Sequence, residues 1–251
     1  MQIVVDSLLI DYSKIGSGKN TIVLLHGWGD SRQTFEFLEK ELVNTYTVIS
    51  LDLPGFGKSQ APDTAWDLAD YASIVSKFLQ KLNIREVYAL VGHSNGGALA
   101  IFASGTGVIN PDKLVLIAAS GIRNRQKGKR LAIKLVAKTG KVATFWLPKN
   151  QKQKLRKRLH GSIGSDMFVA PHLQETYKKT VRHDVQAEAS KITKPTLLIY
   201  GENDKATPPI YGEIYHNLIH DSVLEIIGGT GHFVHKDKPA QTLKLIEDFL
   251  R

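Results

Sequence analysis

The stretch that most constrains this chain runs from Val87 to Ser104. It opens as an apolar run, Val87 to Val91, of strand length and β-branched at both ends. It closes as a run of small residues, Ala98 to Ser104, suited to a packed helix. Between them stands Gly92-His93-Ser94-Asn95-Gly96. A serine in a tight strand-to-helix turn is held in an unusual backbone conformation with its hydroxyl pushed clear of the sheet. The residues two before and two after come so close that side chains there would clash, and glycine removes the clash. Asn95 then begins the helix, so its backbone N–H has no partner in the helix and points at whatever lies beside Ser94. The bare spacing is common. The strand before it and the helix after it give it weight.

The rest of the chain alternates in the same way. Residues 2–15 read as a β-hairpin about Asp6-Ser7. Thr21–Leu25 is a buried strand running into His26-Gly27-Trp28-Gly29-Asp30, followed by Phe35, Leu38 and Leu42 at helical spacing. Thr45–Leu51 is the next strand, ending in the breaker-rich loop 52–59. Leu68–Leu82 is an amphipathic helix, and Lys113–Ala118 is a strand. After Gly121, strand signals stop for about seventy residues. Alternation resumes with a strand at Pro195–Tyr200, a helix at Ile210–Leu218, a strand at Val223–Ile227 and a helix at Pro239–Leu250. Strands alternating with helices imply an α/β fold, a mostly parallel sheet covered on both faces. The expected division is a core at 1–120, an inserted helical cap at 121–190, and the rest of the core at 191–251.

Composition narrows the chemistry. With 251 residues and 42% hydrophobic side chains the chain can bury one large core. It has no cysteine, which excludes disulfides, thiolate nucleophiles and Cys-based metal sites and fits a cytoplasmic location. The N-terminus lacks a basic leader pattern, and no apolar run approaches the roughly 20 residues of a membrane span. The net charge is +9, but it is concentrated: residues 121–190 carry 17 Lys and Arg against 4 Asp and Glu, a net of +13, while the other 16 basic and 20 acidic residues net −4. The basic run 149–158 reads first as a solvated helix face. It could otherwise attract an anionic substrate or an acidic surface. No nucleic-acid partner is expected, because neither aromatic interleaving nor a nucleic-acid motif accompanies the charge.

Ser94 can act as a nucleophile only if a base lies within hydrogen-bond reach and an acid orients the base. Ends of parallel strands on one sheet edge converge. Two later strand ends carry Gly201-Glu202-Asn203-Asp204 and Gly228-Gly229-Thr230-Gly231-His232. Asp204 is therefore the expected orienting acid, with Glu202 in reserve, and His232 the expected base. The stretch 118–121 offers no carboxylate. Trp28, between two glycines, is the expected second N–H donor beside Asn95, with its indole lining the pocket. His26, Gly27, His93 and Phe233 are expected around the substrate pocket, the two histidines bonding backbone. His235, three residues from His232, has no third ligand in view, so no metal is expected. Loop 52–59 lacks the ending of a phosphate-binding loop.

Five motifs occur in order: His26-Gly27-Trp28-Gly29, Asp52-x-Pro54-Gly55-x-Gly57-x-Ser59, Gly92-His93-Ser94-Asn95-Gly96-Gly97, Gly201-x-x-Asp204-x-x-x-Pro208, and Gly231-His232-Phe233 with Asp237-x-Pro239. Together they resemble the α/β-hydrolase superfamily, in particular its small bacterial esterase and C–C hydrolase branch, over everything but the cap. The resemblance implies an eight-stranded sheet with a helical lid after the sixth strand. It implies a cofactor-free serine hydrolase of carboxylic esters acting on a small molecule. Asp237 departs from the glutamate frequent in the family. Hydrolytic C–C cleavage of a diketone-like anionic substrate is the alternative, favoured only by the basic cap. A non-catalytic ligand-binding or partner-docking protein on the same scaffold is the second alternative. Dehalogenase and epoxide hydrolase activities are disfavoured, since those members carry Asp where Ser94 stands.

Overall fold

The structure is a computed structural model that describes residues 1–123 and 169–251. Its eight strands are β1 (Gln2–Val5), β2 (Leu8–Ile15), β3 (Thr21–Leu25), β4 (Thr47–Leu51), β5 (Ala89–His93), β6 (Lys113–Ile117), β7 (Thr196–Gly201) and β8 (Ser222–Ile227). They form one sheet in the order β1-β2-β4-β3-β5-β6-β7-β8. Only β1/β2 and β2/β4 pair antiparallel. The hairpin turns at Asp6 and Ser7, both with positive φ, 46° and 65°. Two successive left-handed residues match the twist of a two-residue hairpin, and aspartate tolerates that conformation better than most residues.

The central strands are buried from end to end: all five residues of each of β3, β4 and β5 are buried. Their alternate side chains feed two separate cores. Ile22, Leu24, Ala89 and Val91 face one side with Phe35, Leu38, Leu42, Ile246 and Leu250. Val23, Leu25 and Leu90 face the other with Tyr71, Val75, Phe78 and Leu99. The helices that close the first side are α1 (Glu36–Leu42), continuing a 3₁₀ turn at Arg32–Phe35, and a C-terminal helix at Pro239–Leu250. Those closing the second are α2 (Leu68–Lys81) and α3 (Asn95–Gly105). Asp67 caps α2: its carboxylate accepts from the N–H groups of Ala69 and Asp70, and Asp70 returns the bond to the Asp67 N–H.

Several boundaries differ from the periodicity: β5 starts at Ala89 rather than Val87, β6 ends at Ile117, β7 lies one residue later and β8 starts one residue earlier than expected, and α2 ends at Lys81. β4 starts at Thr47, because the N–H groups of Thr45 and Tyr46 are taken by the Leu42 carbonyl at the end of α1. β5 extends through Gly92 to His93, which pair with Leu116 and Ile117, so strand geometry continues to the residue before Ser94.

Between β6 and β7 the described residues form a 3₁₀ turn at Pro171–Leu173 and two helices, α4 (Gln174–Arg182) and α5 (Gln186–Ala189). Residues 124–168, most of the expected cap, lie outside the described residues. The helices after β7 are α6 (Ile210–Leu218), α7 (Val234–Asp237) and α8 (Pro239–Leu250). The parallel pairings Leu25↔Gly92, His93↔Ile117 and Gly201↔Ile227 put the C-terminal ends of β3, β5, β7 and β8 along one edge of the sheet.

Candidate active site

Ser94 sits at that edge with φ 53° and ψ −115°, a conformation an L-residue holds only when its surroundings dictate it. They do so here through the main chain. The Ser94 N–H donates to Ile117 O at 3.0 Å, and the Ser94 carbonyl accepts from Ala98 at 3.1 Å and Ser120 at 3.0 Å. The flanking glycines are sterically required. A Cβ on Gly92 would lie 2.4 Å from Gly96 O, and one on Gly96 would lie 2.1 Å from Leu25 O.

The His232 Nε2 is 2.9 Å from Ser94 Oγ, and its Nδ1 is 2.8 Å from Asp204 Oδ2. A carboxylate accepts only, so Nδ1 carries the hydrogen and Nε2 turns a lone pair to the serine hydroxyl. The Asp204 side chain is fully buried, whereas the imidazole is 20% exposed. Burial alone would raise the Asp204 pKa. Hydrogen bonding and charge attraction from His232, with further bonds from the Thr207 N–H and hydroxyl, outweigh it and hold the carboxyl below its ordinary value. Its Oδ1 accepts from the N–H groups of Ala206 at 2.8 Å and Thr207 at 3.0 Å.

Trp28 follows Gly27 at the end of β3 and Asn95 follows Ser94, and the backbone N–H of neither donates to a carbonyl among the described residues. The Trp28 loop is fixed by His26, which is fully buried. Its Nδ1–H donates to Gly27 O at 2.7 Å and its Nε2 accepts from the Leu53 N–H at 2.9 Å. Burial lowers its pKa, which keeps this one-donor, one-acceptor form. His26 thus ties the end of β3 to the end of β4 behind the site. The Trp28 indole meets Phe56 and Tyr177 edge-on, with ring centroids 4.9 and 5.1 Å away. Gly27 backs onto Ser94: a Cβ there would lie 3.1 Å from that of the serine. Phe233 is 40% exposed beside the His232 ring, with Lys236 Nζ 4.8 Å above it.

A family model described as the alpha/beta hydrolase family matches residues 22–245. The chain belongs to that family. Among curated relatives of this hydrolase, an uncharacterized hydrolase, YugF, of Bacillus subtilis is 29% identical over 93% of the chain and 91% of its own length. A pimeloyl-[acyl-carrier protein] methyl ester esterase of Neisseria meningitidis is 26% identical over 91% of the chain and 76% of its own length. Among solved structures, an esterase from Exiguobacterium antarcticum has the same fold, with a TM-score of 0.79, 24% identity, and coverage of 100% of this chain and 98% of that one.

Sequence reasoning did not single out Thr207. Its hydroxyl is 2.7 Å from Asp204 Oδ2, 2.9 Å from Ala118 O and 3.1 Å from His232 Nδ1. The signal was local: Asp204 with acceptable N–H groups two and three residues on is an Asx-type turn. Glu202, the reserve acid, instead accepts from the Gly229 N–H at 2.9 Å. His235 is buried against Thr34 Oγ1 at 3.1 Å, and no three His, Asp or Glu side chains among the described residues gather as a metal site. No described helix is long and apolar enough to cross a membrane. The basic run 149–158, and with it the ground for an anionic substrate, lies outside the described residues.

Proposed function

We propose that this hydrolase cleaves carboxylic esters of small molecules through an acyl-enzyme on Ser94. The observation that carries the reading is the continuous line of hydrogen bonds from Asp204 Oδ2 to His232 Nδ1 and from His232 Nε2 to Ser94 Oγ. As the Ser94 oxygen attacks the carbonyl carbon, its proton passes to His232 Nε2. The imidazolium that forms is held by the buried Asp204 carboxylate. The carbonyl oxygen becomes negative and takes the N–H groups of Trp28 and Asn95, dipoles already fixed before reaction. His232 then gives its proton to the leaving alkoxide, and the same base draws a proton from water to release the acid. An esterase among the curated relatives supports the choice of bond.

In this reading residues 121–190 are a cap that selects substrate. Its described end already touches the site: Tyr177 packs on Trp28, and His172 Nε2 bonds Gly55 O at 2.9 Å. The test is p-nitrophenyl acetate and butyrate turnover, with labelling by a fluorophosphonate probe. The wild-type chain turns over and labels, and Ser94→Ala does neither, with a loss of about 10⁴-fold or more. Equal labelling of the variant would remove Ser94 from the mechanism.

A further inference from the structure

His93 ends β5 immediately before Ser94 and is 1% exposed. Its Nε2 lies 3.0 Å from the main-chain carbonyl oxygen of His232. A carbonyl only accepts, so Nε2 carries the hydrogen. The other nitrogen, Nδ1, is buried without a hydrogen-bond partner among the described residues and abuts Gly27, where a Cβ would be 3.1 Å away. The ring is wedged among His235, His232 and Phe233, at centroid distances of 4.7, 4.9 and 5.1 Å. His235 is in turn held by Thr34.

A leucine or phenylalanine could fill this space without leaving a buried nitrogen unpaired. What an imidazole adds is an N–H at this reach. Two consecutive residues of the turn therefore hold His232 at both ends, Ser94 at the imidazole and His93 at the backbone. Burial, with His235 and His232 as further neighbours, keeps the His93 ring well below the usual histidine range and hence uncharged.

We propose that His93 is a positioning residue for the catalytic base, gripping the His232 carbonyl so that the imidazole stays in line with the Ser94 hydroxyl. The proposal rests on the hydrolase reading of Ser94 and His232. A small misplacement of a reacting group is enough to cost about 10²-fold in rate.

The experiment compares wild type, His93→Leu and His93→Gln in p-nitrophenyl butyrate turnover, with competent sites counted by fluorophosphonate titration. His93→Leu, which removes the donor, lowers kcat per titrated site by about tenfold to a hundredfold with KM within about twofold. His93→Gln, whose amide offers an N–H at similar reach, recovers to within about threefold of wild type. If His93→Leu does not fold, His93→Asn, with an amide too short for the carbonyl, carries the same expectation. A purely structural role would lower the number of titratable sites and leave kcat per site unchanged, and that result overturns the proposal. So does a His93→Gln variant as slow as His93→Leu. A wild-type chain that neither turns over nor labels overturns the hydrolase reading, and the proposal with it.

Discussion

The hydroxyl of Thr207 stands 2.7 Å from Asp204 Oδ2, the same oxygen that takes the Nδ1–H of His232 at 2.8 Å. The buried carboxylate oxygen therefore faces two donors, the His232 ring and the Thr207 hydroxyl, whose single hydrogen is shared between Asp204 Oδ2 and the Ala118 carbonyl after β6. A hydrogen bond to a charged group contributes about 1.5–3 kcal/mol. Thr207→Val keeps the volume and removes the bond. Its kcat is expected to fall by about tenfold, because Asp204 then lacks one of the bonds that hold its pKa down and is free to turn away from His232. Thr207→Ser should keep most of the activity. Equal activity of Thr207→Val and wild type in ester hydrolysis would show that the Thr207 bond is dispensable.

Asp204→Asn tests the orienting role directly. An amide can donate to Nδ1, which places the hydrogen on Nε2 and leaves no lone pair for the Ser94 proton. The expected loss in kcat is about 10⁴-fold with the fold intact. Asp204→Asn with kcat within tenfold of wild type would transfer the role elsewhere.

In the proposed mechanism the Trp28 side chain and backbone have separable duties. Trp28→Ala keeps the main-chain N–H but removes the indole packed between Phe56 and Tyr177. KM for an apolar ester is expected to rise about fivefold or more, since the substrate no longer has the indole face to pack against, with a smaller change in kcat. A drop in kcat at constant KM would mean that the indole is needed to hold the N–H in place.

Much of this site could be read from the chain because its parts are local. The strand-turn-helix at Ser94 announces itself in a dozen residues, and the ends of β7 and β8 carry their carboxylate and imidazole in short breaker-rich segments. The helices Ile210–Leu218 and Pro239–Leu250 have the periodicity, and prolines at the N-cap of the first and the first position of the second mark where they begin. The missed features are of two kinds. Val234–Asp237 is a four-residue helix, too short to show a period. The hydrogen bond of Thr207 to Ala118 spans 89 positions, and His232, the particular backbone partner of the bond expected for His93, lies 139 positions away. Such pairings exist only once the parallel strands have brought their ends together.

Acid stability follows from the histidines behind the site. His235 is pushed down to about 4, chiefly by burial and then by the charge of Lys236. Burial also lowers His26 and His93. An unfolded chain would protonate all three near the ordinary value of about 6.5. Between about pH 6.5 and 4 the unfolded state therefore binds more protons than the folded one, and stability falls as pH falls through that window. For His235 alone the difference is on the order of 3 kcal/mol across the whole range. Above about pH 7 these groups are neutral in both states and add no slope. Asp204, with its lowered pKa, acts at the acid end: its stabilisation is present above the unfolded carboxylate value of about 3.9 and is lost as pH falls through its folded value. Urea unfolding at constant ionic strength is expected to give a flat free energy from pH 8 to 7, then a decline to pH 5 steeper than one titrating group allows. A free energy that stays level from pH 7 to 5 would mean that these rings take up protons without unfolding, and so are not sealed within the core.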